Sequence, residues 1–138
     1  MRRLGMVQVY TGDGKGKTTA ALGLALRAVG HGWRVVIFQF LKGQKTAGEL
    51  AAARRLAPEL VIIPCGTGEF IIGRPPTAEE IALAREGLAR ARRVLAAGEA
   101  EMVVLDEVAA AIGLGLLEEA AVLEAIRSRA PGVEVVLT

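Results

Sequence analysis

The chain has 138 residues, 52% of them hydrophobic and only 4% aromatic, which suits one core packed by aliphatic side chains under helices and disfavours an aromatic-lined β-barrel. Its 17 Lys and Arg against 15 Asp and Glu leave a net charge of +2, with both signs spread along the chain, so no nucleic-acid partner is implied. One cysteine, Cys65, excludes an internal disulfide, and no charged start followed by a long apolar stretch marks a signal peptide or membrane span, so a reducing cytoplasm is the expected location.

In chain order, Met6 to Thr11 reads as a first strand, and Lys17 to Val29 as a helix closed by Gly30. Arg34 to Phe40 and Leu60 to Cys65 are the next strand candidates. Thr46 with Glu49, and Thr77 with Glu80, have the spacing of capping boxes opening two further helices. The second of these puts Ile81, Ala84, Leu88, Ala91 and Leu95 on one apolar stripe, with Arg85, Arg92 and Arg93 largely elsewhere. Glu101 to Asp106 is a fourth strand. Leu116 to Arg129 is a helix stopped by Ala130-Pro131-Gly132, and Val133 to Thr138 is a fifth strand. Most of these strands are nearly continuous Val/Ile/Leu runs, as parallel strands covered on both faces require. The expectation is a single α/β domain over residues 1–138. A strand ending bluntly at Thr138, without a polar cap, predicts that the natural polypeptide continues.

Tyr10-Thr11-Gly12-Asp13-Gly14-Lys15-Gly16-Lys17-Thr18-Thr19 lies between the first strand and the first helix, where a phosphate-binding loop belongs. Glycines let successive backbone N–H groups turn inward, and the helix start adds its positive dipole end. Lys17 supplies a full charge and the Thr18 hydroxyl can ligate Mg²⁺. One departure stands out: counting back from Gly16-Lys17-Thr18, the first glycine of the usual pattern falls on Thr11, so phosphates would be held in a non-standard way.

Met102-Val103-Val104-Leu105-Asp106-Glu107 is an apolar strand ending in two acids, which has the form of a Walker B element able to hold Mg²⁺ opposite Thr18. A buried strand that merely ends in solvated acids has the same pattern. Two strand candidates intervene between loop and acids, which predicts a P-loop NTPase of RecA-like type: a three-layer α/β/α arrangement, with a mainly parallel sheet of five or more strands and the Asp106 strand beside the loop strand. Ligands would gather at the carboxyl edge of the sheet. Because an acid next to the Walker B aspartate activates water in ATPases of that group, Glu107 keeps ordinary hydrolysis open.

The loop residues 12–21, then Arg27-Ala28-Val29-Gly30-His31-Gly32, Gln39-Phe40-Leu41-Lys42-Gly43 and Leu105-Asp106-Glu107, resemble the CobA-type ATP:corrinoid adenosyltransferases over essentially the whole chain. The resemblance implies transfer of the 5′-deoxyadenosyl group of ATP to cobalt(I) of a corrinoid (cobalamin, cobinamide or cobyrinic acid a,c-diamide), with release of triphosphate. It implies Mg²⁺ or Mn²⁺, an electron-donor protein such as a flavoprotein, and a homodimer. Such chemistry needs orientation of the ribose 5′-carbon and stabilisation of the leaving triphosphate more than acid–base help.

By this resemblance Gly12, Asp13, Gly14, Lys15, Gly16, Lys17, Thr18 and Thr19 bind nucleotide, Lys15, Lys17 and Glu107 serve catalysis, and Thr18, Asp106 and Glu107 hold the metal. Arg27 and Lys42 match positions near the cleft. Arg27 has a second reading as a solvated helix residue, and Lys42 as a cap of the loop after its strand. Gly66-Thr67-Gly68-Glu69-Phe70-Ile71 resembles the segment over the corrin face, with Phe70 present but no tryptophan after it; a hydrophobic plug is the other reading of Phe70. Chains of that family continue from their last strand into Gly-Arg and a further segment that helps close the site. Without such a segment, weak or no turnover is expected.

His31, Trp33 and Cys65 read as structural. The rival functions are a small P-loop ATPase or nucleotide kinase, and a nucleotide-binding regulatory module without turnover.

Overall fold

The computed structural model describes residues 4–43 and 47–138. In chain order they form β1 (Val7–Val9), α1 (Lys17–Gly30), β2 (Val35–Gln39), α2 (Gly48–Arg55), β3 (Leu60–Pro64), α3 (Ala78–Ala97), β4 (Met102–Asp106), α4 (Val108–Gly113), α5 (Glu119–Arg127) and β5 (Glu134–Leu137). All five predicted strands are present and every pairing is parallel. Two apolar clusters cover the two sheet faces, so the architecture is the expected α/β layering. Ala21, Ala25 and Ala28 of α1 pack with Ile37 and Val104 on one face, and Ala84, Ala91 and Leu95 of α3 pack with Phe38 and Leu105 on the other. A fully buried side chain such as Leu95 or Phe38 adds about 1.5–3 kcal/mol relative to exposure.

The strand order is β1-β5-β4-β2-β3. The expectation that the Asp106 strand lies directly beside the loop strand is therefore corrected: β5 stands between them. The physical reason is burial. Val135 and Val136 of β5 are 0% exposed and need cover on both faces and partners on both edges, whereas Val9 of β1 is 57% exposed and tolerates the sheet edge. Glu134 pins the register by accepting from Met6 N and Gln8 Nε2, each at 3.0 Å.

The capping box at Thr77 forms as predicted: Glu80 N donates to Thr77 Oγ1 at 3.1 Å and Thr77 N donates to Glu80 Oε1 at 2.8 Å. Gly98, at φ 66°, ends α3. The other proposed box rests on Thr46, which lies outside the described residues; α2 starts at Gly48 with Ala47 before it. Leu116 and Leu117 are buried in the turn ahead of α5, not in the helix. A short helix not anticipated from the sequence, α4, follows Glu107.

Candidate active site

Parallel strands all deliver their carboxyl ends to one edge, and that edge collects the chemistry. β1 runs through Tyr10, whose N–H donates to Leu137 O at 2.9 Å, into the glycine-rich loop. Gly12 (φ 133°) and Gly16 (φ 104°) adopt backbone conformations that a side chain strains against, and Gly16 caps α1. Lys17 folds back over the loop, its Nζ donating to Gly12 O and Gly14 O at 2.6 Å each. A cavity of about 570 Å³ is lined by Tyr10, Thr11, Gly12 and the run from Gly14 to Thr19, together with Glu107, Ala109, Ala110 and Thr138. Asp13 is exposed on the loop and does not line this cavity.

Thr18 Oγ1 donates to Asp106 Oδ1 at 2.8 Å, the meeting of loop and acid that the sequence predicts. Because β5 intervenes, its end joins them: Thr138 Oγ1 donates to the same Oδ1 at 3.0 Å and accepts Glu107 N at 2.7 Å. Lys42 Nζ pairs with Asp106 Oδ2 at 3.4 Å. Asp106 is 1% exposed, and these three partners satisfy a carboxylate that would otherwise be costly to bury.

Glu107 is the sole non-glycine with positive φ (59°) among the described residues. Burial raises its carboxyl above the ordinary range, neighbouring Asp106 and Glu49 adding to this and Lys42 opposing it.

Glu107 also borders a second cavity, of about 470 Å³, whose apolar walls include Phe40, Leu41, Phe70, Ile71, Ile72 and Leu116. Phe70 and Ile72 stand 85% and 80% exposed at its mouth. Lys42 lines the same space. The loop carrying Phe70 is anchored by Arg74, whose guanidinium forks onto Glu80 at 2.8 and 3.0 Å and donates to Phe70 O and Pro75 O at 3.1 Å each. Hydrogen bonding from Arg74, with the Thr77 amide adding to it, lowers the Glu80 carboxyl to about 2. The loops after β2 and β3 touch backbone to backbone: Gly66 N donates to Lys42 O at 3.0 Å, and a Cβ on Gly43 would sit 2.6 Å from the Thr67 carbonyl.

Arg27 is not brought to this edge. It is exposed in the last turn of α1, and the helical rise of about 1.5 Å per residue sets it roughly 15 Å from Lys17. Cys65, buried against Gly87, has its thiol pushed up to about 11 by burial, in keeping with a structural role.

Sequence reasoning misses two participants. Thr138 reads only as a strand end, although its place at the carboxyl edge is a signal. Arg74 carries none. Gln39 stands out as the single polar residue in Val35-Val36-Ile37-Phe38-Gln39-Phe40, and it is 1% exposed.

Thr18 and Asp106 offer hard oxygen donors suited to Mg²⁺. Among the described residues no group of three His, Cys, Asp or Glu could hold a metal alone, so a cation there needs phosphate oxygens and water to complete its shell. Loop, lysine and acid together define a nucleotide-phosphate-binding α/β protein of the P-loop type.

Residues 3–138 match the family model for ATP:corrinoid adenosyltransferase BtuR/CobO/CobP, and the chain belongs to that family. It is 37% identical to a corrinoid adenosyltransferase of Pseudomonas aeruginosa over 97% of its own length and 66% of the relative's. It is 36% identical to a corrinoid adenosyltransferase of Escherichia coli strain K12 (97% and 67%) and 38% identical to corrinoid adenosyltransferase CobA of Salmonella typhimurium (96% and 66%). The chain thus spans about two thirds of the length of these curated relatives. The match does not favour the ATPase or kinase reading. No helix of the described residues is long and apolar enough to cross a membrane.

Proposed function

We propose that this chain carries the nucleotide site of an enzyme that transfers the 5′-deoxyadenosyl group of ATP to cobalt(I) of a reduced corrinoid. The cobalt electron pair forms the bond to C5′, the C5′–O bond breaks, and triphosphate leaves with that bond's electrons. The observation that carries this reading is that one residue, Glu107, walls both the phosphate cradle and the apolar cavity, so a nucleotide gripped by its phosphates lies next to a space suited to a large apolar ring.

In this reading Lys15, Lys17 and the amides from Gly12 to Thr19 bind the triphosphate and offset the charge that grows as it leaves. Thr18 and Asp106, with Glu107 beside them, hold Mg²⁺ or Mn²⁺, which supplies further charge neutralisation when bound. Phe70 and Ile72 cover one face of the corrinoid, and Lys42 orients groups between the two cavities while keeping its pairing to Asp106. A flavoprotein-type electron donor, a homodimer, a cytoplasmic location and one domain over residues 1–138 belong to the same proposal, on family grounds.

The test is product analysis. With Mg-ATP and a chemically reduced corrinoid, intact triphosphate should appear together with the absorbance of a cobalt–carbon bond. ADP and phosphate formed without corrinoid would establish hydrolysis instead. Lys17→Ala should keep the fold and lower the alkylation rate at least about a hundredfold, the scale of removing one transition-state donor; retained activity removes Lys17 from the role.

A further inference from the structure

We infer that Gln39 is a further binding residue of the phosphate cradle, its carboxamide ordering the oxygen shell around a divalent cation held by Thr18 and Asp106. Gln39 is 1% exposed, yet among the described residues neither its Nε2 nor its Oε1 has a hydrogen-bond partner. Buried side-chain amides are nearly always paired, so one with both ends open marks a place where something else binds.

The register says what that something is. Gln39 pairs with Asp106 across β2 and β4, and residues so paired in a parallel sheet present their side chains to the same face. Alternation confirms which face: Val35 and Ile37 pack with Met102, Val104 and the α1 alanines, while Phe38 and Phe40 pack on the other side. The Gln39 side chain therefore lies beside Asp106, on the α1 face from which Thr18 reaches that same carboxylate.

A carboxamide left open at both ends wants an acceptor for its N–H groups and a donor for its oxygen. A bare anion satisfies only the first and a bare cation only the second. A hydrated cation bound to phosphate offers both, through a phosphate oxygen and a metal-bound water. The contacts already made by Asp106 take up one of its oxygens with Thr18 and Thr138 and the other with Lys42, which leaves the Gln39 carboxamide as a buried side chain still unpaired among the described residues at this point of the edge.

This inference rests on the nucleotide–cation reading of the site, and Mn²⁺ is a probe that separates the two. Electron paramagnetic resonance measures free Mn²⁺ titrated into the protein with ATP, first for the natural chain and then for Gln39→Met, which keeps length and loses the amide. The natural chain should bind Mn²⁺ in the presence of ATP, and Gln39→Met should bind it about tenfold more weakly, the usual scale for a group acting through the metal's outer shell. Its thermal midpoint should be unchanged or higher, because an unpaired buried amide has been replaced by an apolar group. If the natural chain binds no Mn²⁺ with ATP, the nucleotide–cation reading itself fails and this inference with it. If it binds and the variant matches it within twofold, only the role of Gln39 is overturned. Should Gln39→Met not fold, the ¹⁵N resonance of the Gln39 side-chain amide in the natural chain decides: it should shift and its protons exchange more slowly on adding Mg-ATP, and no change overturns the inference.

Discussion

The Thr138 hydroxyl donates to Asp106 Oδ1 at 3.0 Å and at the same time accepts the Glu107 amide at 2.7 Å, so the end of β5 locks both acids of the β4 edge in place. Replacing it by the near-isosteric valine leaves the Glu107 N–H without its acceptor and Asp106 with one donor fewer. Thr138→Val should lower unfolding stability by about 1–3 kcal/mol, the cost of stranding a buried polar group. Urea denaturation checks this, and a loss below the precision of the extrapolation would show that water replaces the hydroxyl.

Two glycines should respond oppositely to alanine. At Gly43 the added Cβ meets the Thr67 carbonyl carbon and oxygen at 2.6 Å, backbone that cannot swing aside, so Gly43→Ala should cost about 1–3 kcal/mol and disturb the mouth of the apolar cavity. At Gly23, within α1, a Cβ meets nothing within 4 Å, and Gly23→Ala should stabilise by about 0.5–1 kcal/mol. Paired thermal unfolding curves test both, and equal signs would contradict the close approach of the two loops.

Glu80 sets an acid limit. Its carboxyl is lowered from 4.5 to about 2 by the Arg74 fork and the Thr77 amide. Because the folded value is the depressed one, the contribution to stability is fully present above about 4.5 and is lost as pH falls toward 2. Glu80→Gln should therefore be less stable than the natural chain at pH 6, with the gap closing as pH falls through that window. A gap independent of pH would mean that the carboxylate charge plays no part.

Glu107 has the opposite sign. Burial raises its folded value above 4.5, so the unfolded chain releases its proton first and stability from this group declines as pH rises through that range. Glu107→Gln should gain thermal stability at neutral pH relative to the natural chain and gain none near pH 4. Glu107→Gly would also relieve the left-handed backbone at φ 59°, a conformation costing roughly 1–2 kcal/mol per non-glycine residue. Greater stability with poorer turnover in either variant is the outcome expected of a strained functional position.

Much of the cradle was legible in the residues alone. The order Gly12 to Thr19 between strand and helix specifies a glycine-rich turn into α1, because glycine and the helix start act locally. Asp106 at the end of an apolar run could be matched to Thr18, in the first turn of the helix that follows the loop, because a parallel sheet brings its strand ends and the helix starts that follow them to one edge. Arg27 shows the limit of matching by resemblance: a helix that presents Thr18 to Asp106 carries Arg27 away from the same edge.

What the sequence by itself determined is the set of elements and the chemistry of their ends, since apolar runs, capping residues and glycines act through neighbours a few positions away. Which strands touch was decided only in three dimensions. An apolar run states that a strand is buried but not beside which partner, and so the insertion of β5 between β1 and β4 could not be read in advance. From that insertion follow the Thr138 bridge, the Glu107 turn it holds and the place of Glu107 on the walls of both cavities. The open carboxamide of Gln39 also required the fold, because an amide is unpaired only relative to everything packed around it.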